Sequence, residues 1–91
     1  MWSEFPEKPL MLALGERIAE HRKNRKLTQP ELAGKAGIGV ATLVRLENTG
    51  QANLSNCLRV LRALRLLDRL EDAMKLPARS PKADFKAQQK Q

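Results

Sequence analysis

Aromatic residues and cysteine are both scarce in this chain of 91 residues. It contains two phenylalanines, one tryptophan, no tyrosine and one cysteine. A core built from this composition has to be aliphatic, and the length of the chain allows one small domain. A single cysteine also excludes an intramolecular disulfide framework, so a reducing compartment is the expected one.

Long apolar runs and alternating patterns are lacking as well. No apolar run approaches the ~18 residues that a membrane span needs, so we expect a soluble chain with no membrane partner. The first residues lack the order of a signal peptide, and we expect a cytoplasmic protein. No segment alternates between apolar and polar residues as a half-buried strand does. The expected fold class is therefore all-α, as a compact four- to five-helix bundle.

Side chains suited to catalysis or metal binding are few. His21 is the sole histidine, and we interpret it as a plain surface residue on a basic helix. Cys57 falls on an apolar helical stripe, where an inert core thiol is expected. Gly34, Gly37 and Gly39 do not have the G-x-G-x-x-G spacing of a phosphate-binding loop. We therefore expect no enzyme activity, no metal and no cofactor.

Basic residues outnumber acidic ones, and the chain carries a formal net charge of +7. Residues 10–76 hold twelve basic and seven acidic side chains, so the basicity is not confined to a tail. This balance favours a polyanionic partner, although charge alone describes non-specific attraction. A series of arginines in the C-terminal half is interpreted as a charged solvent face: Arg59, Arg62, Arg65 and Arg69.

The most specific pattern lies between residues 27 and 47. Thr28 and Glu31 have the S/T-x-x-E spacing of a capping box at the start of a helix. Gly37 permits the left-handed conformation that ends a helix, and Gly39 is a permissive N-cap for the next one. The two predicted helices span residues 29–36 and 40–48. Two helices joined by a short turn that contains glycine are typical of a helix-turn-helix unit.

Three further helices are expected around this pair. Their predicted spans are residues 9–26, 54–65 and 67–75. The fourth helix of the chain has an apolar stripe that we expect to be buried: Leu54, Cys57, Leu58, Leu61 and Leu64. The predicted organisation is an N-terminal arm (1–8), a helix-turn-helix domain (9–76) and a flexible basic tail (77–91).

A set of residues between Leu27 and Leu64 agrees in spacing and type with one known family. These residues are Leu27, Thr28, Gln29, Glu31, Leu32, Ala33, Ala36, Gly37, Ile38, Leu43, Leu46, Glu47, Leu61, Ala63 and Leu64. Over roughly residues 14–72 the chain resembles the lambda-repressor or Cro-type (XRE) helix-turn-helix family. Within it, residues 58–74 and 80–85 are similar to HipB-like regulators, many of which are antitoxins.

The resemblance implies a double-stranded DNA partner, hence a nucleoid-associated protein, and specific contacts with the DNA. Gln29 matches a glutamine that hydrogen-bonds a DNA phosphate, and the free amides at the same helix start favour that anion. Arg22 and Glu47 match a structural pair that ties the first helix to the third, and Arg22 also faces the DNA backbone. The residues expected at base edges are Val40, Ala41, Thr42, Val44 and Arg45. Further backbone contacts are expected from Lys35, Asn48, Thr49 and Gln51.

The third helix departs from the family pattern where DNA would be read. Val40 and Ala41 stand at positions usually filled by Gln, Arg or Ser, and Gly39 replaces the usual Ser or Thr cap. One interpretation is modest direct readout, in which small apolar side chains contact thymine methyl groups and Arg45 binds guanine. The other is weak reading of sequence with dominant phosphate contacts. Arg65 stands where relatives often have glycine, which predicts a more continuous turn between the last two helices.

The expected function is that of a sequence-specific transcriptional regulator acting as a homodimer on a palindromic operator. One module of this size buries too little DNA surface for high affinity, whereas two copies match successive major-groove faces. The dimer surface is either the fifth helix, with Leu66, Leu70 and Met74, or the N-terminal Trp2 and Phe5.

Two alternatives remain open at this point. Phe85 is a large apolar residue in a polar tail, and residues 77–91 either bind a cognate toxin or form a flexible extension that aids DNA association. The alternative function for the whole chain is a protein-interaction adaptor that uses the same fold with little or no sequence-specific readout of DNA.

Overall fold

Six helical elements are found in the described part of the chain. The computed structural model describes residues 1–77, and it shows no strand within that range. A 3-10 turn over Trp2–Glu4 precedes five α-helices: α1 (Glu7–Asn24), α2 (Gln29–Ala36), α3 (Val40–Thr49), α4 (Leu54–Ala63) and α5 (Leu67–Met74). The predicted all-α fold class is confirmed. The predicted tail lies outside the described residues, apart from Pro77.

Helix α2 begins at a capping box, as the sequence predicts. The Glu31 amide donates to the Thr28 hydroxyl oxygen at 3.2 Å, and the Thr28 amide donates to the Glu31 carboxylate at 2.8 Å. The bond from the Thr28 amide favours the charged carboxylate and so lowers the pKa of Glu31. Gly37 ends α2 in the left-handed conformation, with φ of 72°, and the Ile38 amide returns to the Ala33 carbonyl. The chain thereby turns sharply into α3.

The core between the helices is aliphatic, as the shortage of aromatic residues predicts. Its buried side chains are Ile18, Leu32, Ala33, Ala36, Leu43, Leu46, Val60 and Leu64. Leu43 and Leu46 are the inward residues of α3, which confirms the predicted inner face of that helix. Helix α1 packs mainly on α3, and α2 packs on both α3 and α4. The opposite side of α3 is left toward solvent.

The predicted buried stripe of α4 is wrong at its first residue. Leu54 is 72% exposed, whereas Val60, which the prediction omitted, is fully buried. The middle residues of the stripe are only half-buried: Cys57, Leu58 and Leu61. Leu54 opens the helix and lies more than a turn before Val60, so it projects past the core into solvent. The packed face of α4 therefore centres on Val60 and continues to Leu64.

The first helix differs from its predicted span at both ends. It begins at Glu7 rather than Pro9, because a proline in the first turn of a helix removes no intrahelical hydrogen bond. It ends at Asn24 rather than Lys26, because Lys26 has a φ of 57° and a residue in this left-handed conformation cannot continue the helix. At the other end of the helix-turn-helix unit, α3 extends one residue beyond its prediction, to Thr49.

The N-terminal arm ends before Glu7, where α1 begins, and not at residue 8 as predicted. Trp2 lies in the 3-10 turn, and the centre of its ring is 5.2 Å from the guanidinium carbon of Arg17 on α1. This distance is within the range of a cation–π contact. The arm thus folds back against the first helix, while Phe5 remains 43% exposed.

The turn between α4 and α5 is a sharp break, so the prediction of a more continuous connection is wrong. Helix α4 ends at Ala63, and Arg65 itself adopts the left-handed conformation with φ of 60°. The Leu66 amide then donates to the Leu61 carbonyl at 2.8 Å, which closes the end of the helix as glycine-containing turns do. Arg65 therefore takes a conformation that costs a side-chain-bearing residue free energy.

Replacing Arg65 by glycine should stabilise the protein. Glycine relieves the steric cost of the left-handed conformation but is more flexible in the unfolded chain, so we expect the free energy of unfolding to rise by about 0.5 to 1 kcal/mol. Urea denaturation followed by circular dichroism measures this change. The control Arg62→Gly, within α4, should lose about 1 kcal/mol. A similar loss for both variants would contradict the proposed strain.

Helices α1 and α3 approach each other through a glycine. A Cβ atom built on Gly15 would lie 2.5 Å from the Leu46 carbonyl oxygen and 2.6 Å from that of Glu47. A Cβ atom does not approach a carbonyl oxygen this closely in proteins. The backbones of α1 and α3 could therefore not keep this separation with any residue other than glycine at position 15. The close approach fixes the end of α3 against α1.

Gly15→Ala should therefore destabilise the fold. We expect a loss of about 1 to 3 kcal/mol, because the added methyl group has to push the two backbones apart. Gly34, on the exposed side of α2, has open space where its Cβ would be. Gly34→Ala should accordingly gain about 0.5 to 1 kcal/mol through better helix propensity. Urea unfolding of both variants tests the contrast, and a gain in stability for Gly15→Ala would refute the tight packing.

Candidate nucleic-acid interface

Helix α3 presents a mixed apolar and polar surface to solvent. Val40 is 41% exposed, and Ala41 and Arg45 are also exposed. Thr42 and Val44 are half-buried. These five residues, the ones predicted to meet base edges, are referred to below as the outer face of α3. Their side chains are small except for Arg45, so the guanidinium group is the main hydrogen-bond donor of this surface.

A buried ion pair joins α1 to the end of α3. Arg22 Nε donates to Glu47 Oε2 at 2.8 Å, and Arg22 Nη2 donates to Glu47 Oε1 at 3.0 Å. The exposed fractions of the two residues are only 9% and 6%. Arg22 Nη1 also donates to the Leu27 carbonyl at 2.9 Å. The hydrogen bonds to Glu47 raise the pKa of Arg22, against the opposing effect of burial.

Gln29 belongs to the same buried network. Its Nε2 donates to Glu47 Oε1 at 3.0 Å, so one carboxylate links α1, α2 and α3. Gln29 is half-buried, which differs from an ordinary exposed residue in a first helical turn. The sequence pattern that pairs Arg22 with Glu47 gave no signal for this third member. Arg22, expected to face the DNA backbone, is mostly inside the protein, with Nε, Nη1 and Nη2 each engaged.

The start of α2 has few free backbone amides. The Glu31 amide is bound by the Thr28 hydroxyl, and Pro30 has no N–H. Among these first-turn residues of the described chain, the Gln29 amide is the one that can point at an anion. Gln29 thus combines a free backbone amide with a side chain anchored on Glu47.

Four residues expected to contact the DNA backbone fall into two groups. Lys35 and Asn48 are exposed, on α2 and near the end of α3. Thr49 and Gln51 are also exposed, but the Thr49 hydroxyl and the Gln51 side-chain oxygen are engaged with Arg45. The Thr49 hydroxyl donates to the Arg45 carbonyl at 2.6 Å, and Gln51 Oε1 accepts from the Arg45 guanidinium group. The structure thus brings Arg45, Thr49 and Gln51 together.

One basic residue beside these contacts was not singled out from the sequence. Lys23 is exposed on α1 and lines the same surface depression as Gln29 and Asn48. Its signal was present in the basic run of residues 21–26, but the run alone did not show which member would face this depression. Glu16 and Glu20 line it as well, so its charge is mixed rather than uniformly positive.

A family model described as helix-turn-helix matches residues 18–72, which is more than half of the chain. The chain belongs to the lambda-repressor-type helix-turn-helix family. It is therefore a DNA-binding regulatory protein in general terms. No curated protein matches the chain.

The described residues also show where the cysteine and the histidine of this helix-turn-helix protein lie. Across residues 1–77, no group of three or more His, Cys, Asp and Glu side chains is placed to hold a metal ion. Cys57 is half-buried rather than a core residue, and burial raises the pKa of its thiol. His21 is half-buried on α1. No helix in this range is long and apolar enough to span a membrane.

Breaking the Arg22–Glu47 pair should strongly destabilise the helix-turn-helix domain. Arg22→Met or Glu47→Leu alone leaves one buried charge without its partner, and each should cost about 3 to 5 kcal/mol. The double variant should lose much less than the sum, since it leaves neither charge behind. Urea unfolding of all four proteins gives the coupling energy.

An exposed ion pair on α1 provides the control for this experiment. Arg17 and Glu20 are 3.1 Å apart, with side chains 58% and 69% exposed. Glu20→Ala removes this pair without touching the contact between Arg17 and Trp2, and it should change stability by less than about 1 kcal/mol, as for exposed pairs in general. If the double variant lost as much free energy of unfolding as the two single variants together, Arg22 and Glu47 would not be coupled, contrary to their geometry.

Proposed function

We propose that the chain is a sequence-specific DNA-binding transcriptional regulator that acts as a homodimer on a palindromic operator. The observation that carries this proposal is the outer face of α3, exposed on a helix whose inner residues Leu43 and Leu46 are fully buried. Such a helix can enter the major groove with its first residues at base edges while its core side stays packed.

Direct readout would depend mainly on Arg45. A guanidinium group suits the O6 and N7 acceptors of guanine, and Val40 and Ala41 are small enough to meet thymine methyl groups. Phosphate contacts would come from the Gln29 amide and from exposed polar or basic side chains: Lys23, Lys35 and Asn48. These contacts would position the domain on the duplex, while the outer face of α3 reads bases.

The homodimer is proposed to form through α5 and the residues after it. Leu70 is 38% exposed, Met74 is 74% exposed and Leu76 is 66% exposed. At the alternative surface, the Trp2 ring is already covered in part by Arg17. A two-fold arrangement would place two copies of α3 about 34 Å apart, the separation of successive major-groove faces. A cytoplasmic location is part of the same proposal.

An antitoxin role is a narrower form of this proposal. It depends on residues 77–91, of which all but Pro77 lie outside the described part of the chain, and on the HipB-like resemblance. Co-purification of the full chain with the product of a neighbouring gene, and its loss on deleting residues 77–91, would support the role. Unchanged co-purification after the deletion would place the partner elsewhere.

Selection of bound oligonucleotides from a random pool tests the main proposal. In about 0.15 M salt, the full chain should enrich a palindrome with half-sites about one helical turn apart. Arg45→Ala should abolish the preference at one base pair of each half-site, a change of roughly 5- to 150-fold in discrimination.

Lys35→Ala is the matched control, since it removes an exposed charge outside α3. It should weaken binding to all sequences alike and reduce the salt dependence of binding.

The exposed apolar side chain of Val40 favours a protein-interaction adaptor as a second candidate function. Salt-dependent binding to random DNA without any enriched sequence would support the adaptor and refute sequence-specific regulation.

A further inference from the structure

Arg45, the main hydrogen-bond donor on the outer face of α3, is held by another side chain. Its Nε donates to Gln51 Oε1 at 3.2 Å, and its Nη2 donates to the same oxygen at 2.7 Å. Both residues are exposed, so water competes for these groups and the pair adds little to the stability of the fold. Its main physical effect is to restrict the direction of the guanidinium group.

The two bonds occupy one edge of the guanidinium group and leave another edge free. The group carries five N–H donors in a rigid plane. Nε and the adjacent hydrogen of Nη2 point at Gln51, while Nη1 and the outer hydrogen of Nη2 form a second pair of parallel donors. Two parallel donors are what a bidentate contact with guanine O6 and N7 requires. The bond to Gln51 therefore leaves a base-binding edge of Arg45 open.

Gln51 is itself fixed by the end of α3. The Thr49 hydroxyl donates to the Arg45 carbonyl at 2.6 Å, and its oxygen accepts the Gln51 amide at 3.1 Å. Gly50 between them has a φ of 74°, and a Cβ there would overlap the Met11 carbonyl. The chain therefore reverses at Gly50, directly after α3, and the Gln51 side chain reaches Arg45 on that helix.

We propose that Gln51 is a positioning residue that determines specificity by aiming Arg45 at a guanine base. This inference rests on the proposed function, in which α3 lies in the major groove. It differs from the expectation that Gln51 contacts the DNA backbone, because a phosphate would bind the amide nitrogen Nε2 and would not require an aligned Arg45. A side chain held in its binding direction loses less conformational freedom when it meets the base.

The experiment compares two DNA duplexes with the full chain. One is the operator obtained by selection, and the other has the guanine whose preference depends on Arg45 replaced by adenine in each half-site. Gln51→Ala should lower the ratio of the two affinities about fivefold, the factor expected from one hydrogen bond. Binding to the adenine-containing duplex should stay unchanged. In the Arg45→Ala background, Gln51→Ala should not alter the ratio.

Two further variants separate positioning from other roles. Gln51→Glu keeps an acceptor for Arg45, so it should retain the preference for guanine even if its charge weakens binding to both duplexes. Asn48→Ala removes another exposed polar side chain near the end of α3. It should lower the affinity for both duplexes by the same factor. Thermal unfolding of each variant checks that the fold is intact.

A measurement without DNA tests the pair itself. In the free protein, the Arg45 Nε proton should exchange with water more slowly than in Gln51→Ala, as observed by NMR. Equal exchange in both proteins would overturn the inference. It would also be overturned if Gln51→Ala lowered the affinity for both duplexes by the same factor and did so in the Arg45→Ala background as well. Failure of the full chain to select any operator would refute the proposed function and this inference together, while slow exchange would still show the Arg45–Gln51 pair.

Discussion

The packing of α1 against the C-terminal half of α3 fixes the geometry on which the rest of this domain depends. Gly15 lets the two backbones meet at the carbonyls of Leu46 and Glu47, and the buried bonds from Arg22 hold the same end of the helix. A helix of 10 residues is too short to be stable in isolation, so α3 takes its order from these contacts. The turn at Gly37 then fixes its other end.

The Glu47 carboxylate is the meeting point of three helices. It accepts hydrogen bonds from Arg22 on α1 and from Gln29 on α2, while Glu47 itself belongs to α3. A buried ion pair need not stabilise a fold more than apolar residues of similar size would. Its bonds are directional, however, and here they restrict how α1, α2 and α3 can be arranged. The start of α2 and the outer face of α3 are therefore held in a fixed relation.

The features that the sequence predicted correctly are mostly local. The capping box of α2, the left-handed Gly37 and the inner face of α3 each depend on residues a few positions apart, and the structure shows all three. The features it missed depend on tertiary contacts. Nothing near Gln29 in the sequence predicts a bond to Glu47. Arg65 adopts the left-handed conformation that glycine favours, although it carries a long side chain.

The separation between the supporting contacts and the outer face of α3 has a consequence for how such a domain can change. Gly15, Arg22 and Glu47 lie on the protein side of α3, whereas Val40 and Ala41 project away from it. Substitutions on the solvent side of α3 leave the buried contacts unchanged, so they should alter the stability of the fold very little. Recognition of a different DNA sequence can therefore arise by substitutions on this surface. The same architecture can therefore diversify its targets while its framework stays constant.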